Sequence, residues 1–188
     1  MEIISETKNN DSLSNGLVIA IITSVIGIIV YYVAPSMMGS TVFGIGLGLL
    51  TLVIYILFTL DLRKKRGGYW TFREALKEIF LMAFIAGIVG ILINLFFYKL
   101  IEPDAYSKIS GYVVDGMVSS YEKMGMSQEQ IDSIVPEMER SLKSQFDPSA
   151  LDLAKNLGIA ILIEFIMSLV FAAIFKKNPP IFVADEDE

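Results

Sequence analysis

The chain has 188 residues, of which 54% are hydrophobic and 19% are charged, and its formal net charge is -6. It contains no cysteine and no histidine, which excludes disulfide bonds, thiolate metal sites and the most common general base. A soluble domain is usually about 45–50% apolar, so the excess here points to lipid around much of the chain.

Four apolar stretches carry this excess, and each has the length of a transmembrane helix. They cover residues 16–33, 40–60, 79–100 and 157–175. An α-helix needs about 20 predominantly apolar residues to cross a hydrocarbon core about 30 Å thick. The sequence therefore predicts an all-α membrane protein with four transmembrane helices that contact the lipid bilayer.

The first two stretches are joined by only six uncharged residues, 34–39, which predicts an antiparallel helical hairpin. Gly44 and Gly48 share one face of the second helix, and Ala83 and Gly87 share one face of the third. Small residues four apart let helix backbones approach closely, so all four are predicted helix-packing positions. A nucleotide-loop interpretation of the glycines fails, because no lysine follows and no strand precedes them.

A basic run fixes the predicted orientation. Arg63, Lys64, Lys65 and Arg66 follow the second stretch, and further lysines, at 176 and 177, follow the fourth. Basic residues beside membrane spans mark the cytoplasmic side. With four spans, both termini are then predicted to be cytoplasmic.

The third helix is predicted to begin before its apolar part. Thr71-Phe72-Arg73-Glu74 has the form of a capping box, in which Thr71 and Glu74 satisfy each other's backbone N–H groups. Arg73 and Lys77 would then lie in the interface and reach towards anionic lipid. The simpler interpretation is that they only anchor the helix.

Residues 101–156 are predicted to form an amphipathic helical insertion on the periplasmic side. A helix over residues 105–123 should end at Gly125, and a second capping signature at Ser127 starts an apolar stripe. Pro136 should kink or split that helix. Asp147 and Pro148 should start the next helix as N-cap and first residue. The stripe consists of Ile131, Ile134, Val135, Met138, Leu142 and Phe146.

The predicted organisation has three parts. Residues 1–100 hold a cytoplasmic lead and transmembrane helices 1–3, residues 101–156 hold the periplasmic insertion, and residues 157–188 hold transmembrane helix 4 and an acidic cytoplasmic tail. No internal repeat appears.

Glu164 is the one acidic residue deep inside a predicted span. A carboxylate there costs roughly 2–3 kcal/mol, so it should face protein and have a partner. Asn94 is predicted to lie at a similar depth and approach it, with Ser168 and Tyr98 extending a polar intramembrane site. One interpretation is a proton- or cation-linked site; the other is an interhelical hydrogen bond.

No catalytic, cofactor-binding or metal-binding residue is predicted. The sequence has no Gly-x-Ser-x-Gly elbow, and its acids lack the spacing of a calcium loop. Basic residues crowd one short loop, which argues against a nucleic-acid partner. We therefore expect no enzyme and no cofactor.

Two motifs of the sequence are Tyr69-Trp70-Thr71-Phe72-Arg73-Glu74-Ala75-Leu76-Lys77 and Ile101-Glu102-Pro103-Asp104-Ala105-Tyr106. They resemble two elements of a known family, the DUF4199 membrane proteins (a domain of unknown function) of the Bacteroidota. The first is its aromatic-rich entry to the third helix, and the second is an acid-Pro-Asp element after that helix. Glu102 stands where the family is expected to have aspartate, and Ala105 separates Asp104 from Tyr106. The resemblance implies a multi-pass protein of the bacterial inner (cytoplasmic) membrane, and it implies no catalytic residues.

Two functions of different classes follow. The first is a non-enzymatic membrane component whose periplasmic helices engage a membrane or periplasmic protein partner, or a second copy in a homo-oligomer, because the stripe is a large apolar surface. The alternative is a small transporter or an ion- or proton-linked permeation protein that uses Glu164.

Overall fold

The computed structural model describes residues 2–180, with side chains from residue 10 onward, and this part is almost entirely helical. The helices are α1 (Glu2–Val33), α2 (Thr41–Lys65), α3 (Phe72–Phe96), α4 (Ala105–Lys123), α5 (Gln128–Phe146) and α6 (Ala150–Phe175). A 3-10 turn, Pro35–Gly39, joins α1 to α2, and a π-helical turn, Phe97–Ile101, continues α3. The all-α prediction is confirmed.

Four of these helices are long and apolar enough to cross a membrane, which confirms the predicted four spans. They are Asn10–Val33, Thr41–Lys65, Phe72–Ile101 and Ala150–Phe175. Large apolar side chains on their outer faces are exposed, as lipid contact requires; Val42, for example, is 81% exposed. The first helix begins well before its apolar stretch.

The third helix is the centre of the bundle, with α1 on one side and α6 on the other. The approach of α1 is closest at Gly16, where an added Cβ would lie 2.6 Å from the Met82 carbonyl oxygen. Glycine is therefore required there by space. The core around this contact consists of Ile19, Leu62, Trp70, Ala75, Ile79, Met82, Ala86, Phe171 and Ala172.

The loop between α2 and α3 and the end of α6 meet at one end of the bundle. The backbones of Trp70 and Lys177 exchange two hydrogen bonds, of 2.9 and 3.0 Å, and the indole of Trp70 donates to the Phe175 carbonyl at 2.8 Å. We call this the basic end, because the run of residues 63–66 lies here.

The insertion of α4 and α5 lies at the opposite end. There Gly39, in the turn between α1 and α2, meets Gly116 of α4 so closely that a Cβ on either would collide with backbone of the other segment. A second core joins the insertion to the spans; it consists of Tyr31, Phe97, Ala105, Ile109, Leu142 and Phe146.

Three local predictions about helix ends are confirmed. Thr71 with Glu74, and Ser127 with Gln130, form complete capping boxes. Gly125 adopts a φ of 84°, a left-handed conformation that ends α4 after Lys123.

The predicted split of the helix at Pro136 does not occur, because α5 continues through this residue; the alternative, a kink, stays a prediction. Pro136 is exposed, so water can bond the carbonyl group that the missing proline N–H leaves free. The predicted start of α6 is wrong. The N-cap of α6 is Ser149 rather than Asp147, because Ser149 forms a capping box with Asp152. Pro148 is buried ahead of the helix.

The apolar stripe of α5 is largely buried against other parts of the same chain. Ile131, Leu142 and Phe146 are buried, and the remaining members are half-buried; α5 packs against α4, and Leu142 and Phe146 also join the core shared with the spans. The stripe is therefore not the free surface on which the prediction of a partner depended.

Candidate functional site in the spanning bundle

Glu164 lies on α6 where that helix faces α3. A Cβ at Gly87 would collide with the Glu164 carboxylate, so glycine makes the room in which the carboxylate sits. Gly87 is thus a contact point between the two helices, and it sets the level of Glu164 along α3.

A cavity of about 270 Å³ opens beside this carboxylate, between α2, α3 and α6. We call it the Glu164 groove. Leu52, Ile163 and Met167 on its rim are 37%, 55% and 44% exposed, so it opens sideways towards lipid. Its lining residues are Gly48, Thr51, Leu52, Tyr55, Ile79, Ala83, Ile163, Glu164, Met167, Ser168 and Phe171.

Two of the four polar side chains that line the groove, Thr51 and Ser168, are bonded to their own helix; the other two are Tyr55 and Glu164. The Thr51 hydroxyl donates to the Leu47 carbonyl at 2.9 Å, and the Ser168 hydroxyl donates to the Glu164 carbonyl at 2.7 Å. Within residues 10–180 the side-chain carboxylate of Glu164 makes no hydrogen bond or ion pair. A half-buried carboxylate inside an apolar groove is costly, and such residues are functional-site candidates by default.

The structure does not bring Asn94 to Glu164. The Asn94 amide donates to the Gly90 carbonyl of its own helix at 2.9 Å. Glu164 is level with Gly87 rather than Asn94, and those seven residues span about 10 Å along a helix. Depth counted from the helix ends was misleading, since α6 begins at Ala150, well before its apolar stretch.

Asn94 and Tyr98 instead line a separate cavity of about 320 Å³ beside the insertion, together with Pro148. The ring of Tyr98 packs against Phe146 with centroids 4.6 Å apart. The four residues of the predicted polar site therefore form two pairs, Glu164 with Ser168 and Asn94 with Tyr98.

The predicted packing positions also divide. Ala83 is buried and lines the Glu164 groove, and Gly87 meets α6. Gly44 and Gly48 have no atom within 4 Å of an added Cβ, so the described chain makes no close helix contact there. Spacing showed that the two glycines share a face, but not whether another helix covers it.

A charged network at the basic end was missed from the sequence. The Arg66 guanidinium lies 3.1 Å from the Glu78 carboxylate and 3.1 Å from that of Asp11, and Ser12 also donates to Glu78. The side chains of Arg66 and Glu78 are only 9% and 7% exposed. This network joins α1, the end of α2 and the start of α3.

A third carboxylate, that of Asp61, adds a further contact between α1 and α2. It accepts from the Asn15 amide at 2.9 Å and lies 2.7 Å from the Lys65 ammonium. A sequence signal existed, since Asp11, Ser12 and Asn15 share one helix face just before an apolar stretch. These charged groups pair with one another across three helices, so the network is better suited to holding helices together than to binding a ligand.

At the opposite end Glu102 gathers donors from two elements. The hydroxyls of Tyr31 and Tyr32 donate to its carboxylate at 3.0 and 2.8 Å, and Lys108 of α4 also donates to it. The bond from Lys108, followed by that from Tyr32, holds the pKa of Glu102 below its usual range. The same contact raises the pKa of Lys108.

No three acidic side chains among the described residues lie together in a way that could hold a metal ion. The architecture is that of a multi-pass helical membrane protein with two further helices before its last span. The family model described as "Protein of unknown function (DUF4199)" matches residues 14–177, so the chain belongs to that family. The resemblance noted in the two motifs is thereby confirmed. No curated protein and no solved structure matches the chain.

Proposed function

We propose that the chain is a non-enzymatic membrane protein that binds a small lipid-soluble molecule in the Glu164 groove, as a small transporter or permeation protein does. One observation carries the proposal: the Glu164 carboxylate faces an apolar cavity without a partner in the described chain. Binding rather than catalysis is favoured because the neighbouring hydroxyls of Thr51 and Ser168 donate to their own helices.

The shape of the groove limits the ligand. A volume of about 270 Å³ is near the lower end for ligand pockets, which are usually roughly 300–1,000 Å³. The walls are apolar, and the carboxylate can accept a hydrogen bond or pair with a cation. The best match is a small apolar molecule with one donor or one positive charge.

A protein partner or a second copy at the insertion remains a secondary proposal. It needs a surface other than the α5 stripe, because α5 packs against α4 and three members of the stripe are buried within the chain.

The proposed setting is the bacterial inner membrane with both termini and the basic end in the cytoplasm, and with α4 and α5 in the periplasm. Arg63, Lys64 and Lys176 support this orientation, because basic residues beside spans favour the cytoplasmic side.

Access to the carboxylate from lipid can be tested with dicyclohexylcarbodiimide, an apolar reagent that modifies carboxyl groups. Mass spectrometry of the protein in vesicles should find Glu164 modified and Glu78, which is buried and paired, unmodified. Gly48→Leu should block the reaction by filling the groove. Gly44→Leu, one turn away in open space, is the matched control and should leave it unchanged.

The ligand itself can be sought by mass spectrometry of small molecules that copurify from native membranes. We expect a compound retained by the wild-type protein and by Ser168→Ala, and lost from Glu164→Gln. An unmodified Glu164, or identical retention by all three proteins, would overturn the proposed function.

A further inference from the structure

A second groove lies on the other face of the seam between α3 and α6, at the basic end. Its cavity volume is about 460 Å³, and Arg73, Lys77, Leu76, Phe80 and Phe165 line it together with Glu74 of the capping box. We call it the Arg73 groove. It shares no lining residue with the Glu164 groove.

The two ends of this groove differ in chemistry. Its deep end is aromatic, with the rings of Phe80 and Phe165 packed edge to face at 5.5 Å and Phe84 6.0 Å from Phe80. Its outer end carries the side chains of Arg73 and Lys77, which are exposed and lie four residues apart on one helix face.

These two positive charges are not used by the part of the chain that the structure describes. Neither Arg73 nor Lys77 forms an ion pair with an acid of residues 10–180. Glu74, the acid that lines the same cavity, accepts from the backbone N–H and the hydroxyl of Thr71, both at 2.9 Å.

The groove extends from the depth of the phospholipid headgroups to the depth of the acyl chains. Arg73 and Lys77 are in the first turns of α3, shortly after Tyr69 and Trp70 in the sequence. The Lys177 ammonium lies 5.0 Å from the centre of the Tyr69 ring. Aromatic and basic residues of this kind mark headgroup depth. From Arg73 to Phe80 is about 10 Å along the helix, two-thirds of one leaflet of a hydrocarbon core about 30 Å thick.

We infer that the Arg73 groove binds one anionic phospholipid, with its phosphate between Arg73 and Lys77 and an acyl chain on the Phe80–Phe165 surface. Charge complementarity selects an anionic headgroup, and the aromatic floor selects hydrocarbon. The proposal is independent of any ligand at Glu164.

Native mass spectrometry of the full chain, delipidated in detergent and titrated with phosphatidylglycerol or phosphatidylcholine, tests the inference. The wild-type protein should retain one phosphatidylglycerol in preference to phosphatidylcholine. Because each cation near an anionic lipid contributes a factor of about five in affinity, Arg73→Gln with Lys77→Gln should reduce this preference roughly 25-fold.

Two further variants separate the site from general attraction. Lys64→Gln with Lys176→Gln removes two exposed charges at the same end but outside the groove, and should leave the retained lipid in place. Phe165→Ala removes part of the floor and should weaken retention of both lipids while keeping the headgroup preference.

Three results would overturn the inference. The control pair could lose the lipid as fully as the groove pair, which would indicate diffuse surface attraction. Glycerol phosphate, which has no acyl chain, could compete as well as the phospholipid. Retention could also be absent in the full chain and present after deletion of residues 181–188, in which case the acidic tail fills the groove.

Discussion

The carboxylates of Glu78 and Glu164, both within the spans, have opposite surroundings. Glu78 accepts from Ser12 and pairs with Arg66, whereas the Glu164 carboxylate has no hydrogen bond or ion pair in the described chain and lies in a mostly apolar groove. Removing one partner of a buried ion pair leaves the other charge uncompensated, whereas removing an unpaired charge from an apolar site relieves a cost. Removal of the negative charge should therefore have opposite effects on stability at the two positions.

We expect Glu78→Ala to lower the free energy of unfolding by about 3 kcal/mol, because the buried Arg66 guanidinium loses one of its acidic partners. Glu164→Gln should leave it unchanged or raise it by about 1 kcal/mol. Unfolding of the purified protein by dodecyl sulfate in mixed micelles, followed by circular dichroism, measures both. Glu139→Ala, on the exposed face of α5, is the control and should stay within about 0.5 kcal/mol. A tolerated Glu78→Ala would contradict the assigned role of the network.

Glu102 provides a prediction about pH. Its folded-state pKa is lowered by Lys108 and Tyr32, so the stability it contributes is fully present above the unfolded pKa and is lost as the pH falls through the folded pKa. The raised pKa of Lys108 has the converse effect, with stability lost only as the pH rises through its folded value.

The difference in unfolding free energy between the wild-type protein and Glu102→Gln should thus be constant around neutral pH and disappear in strongly acidic buffer. Urea or dodecyl sulfate titrations at a series of pH values measure it. A difference that persists below the folded pKa would show that the charge on Glu102 is not what the tyrosines and Lys108 recognise.

At the scale of the elements, signals contained within one turn were predictable and signals between elements were not. The capping boxes at Thr71 and Ser127 need only residues three apart, so the sequence is sufficient. At residues 147–149 two capping patterns compete, and the one with a reciprocal partner, Ser149 with Asp152, forms. The spacing of Gly44 and Gly48 carried no information about what lies opposite.

The contact between Gly39 and Gly116 holds the insertion against the hairpin of α1 and α2. We expect Gly39→Ala to loosen this contact, because the added methyl group would collide with the Tyr112 carbonyl. Limited proteolysis should then cut residues 124–127, between α4 and α5, faster than in the wild-type protein. Gly111→Ala, in open space on α4, is the control; equal cleavage of all three proteins would contradict this.

At the scale of the whole molecule, the four spans and the two extra helices follow from apolar length and helical spacing alone. Their arrangement does not, because it depends on contacts such as Ser12 with Glu78, which are 66 residues apart. The pairing of Glu164 with Asn94 failed for the same reason. The register between α3 and α6 is set by the contact of the Glu164 carboxylate with Gly87, and not by the distance of either residue from the end of its helix.

The orientation can be tested directly, since the natural chain contains no cysteine. Single substitutions Lys64→Cys and Glu129→Cys place one thiol at each end of the molecule. In intact cells a membrane-impermeant maleimide should label Glu129→Cys and spare Lys64→Cys, and permeabilisation should expose both. Labelling of both in intact cells would contradict the proposed orientation.

The insertion also has a mechanical consequence. It is fastened to the turn between α1 and α2 by backbone contact at Gly39 and by the paired hydroxyls of Thr41 and Ser120. Thr41 is the first residue of α2, and α2 forms one wall of the Glu164 groove. A force that tilts α4 is therefore transmitted through Thr41 to the first turn of α2. Because α2 also borders the Glu164 groove, such a force would change the surroundings of the Glu164 carboxylate.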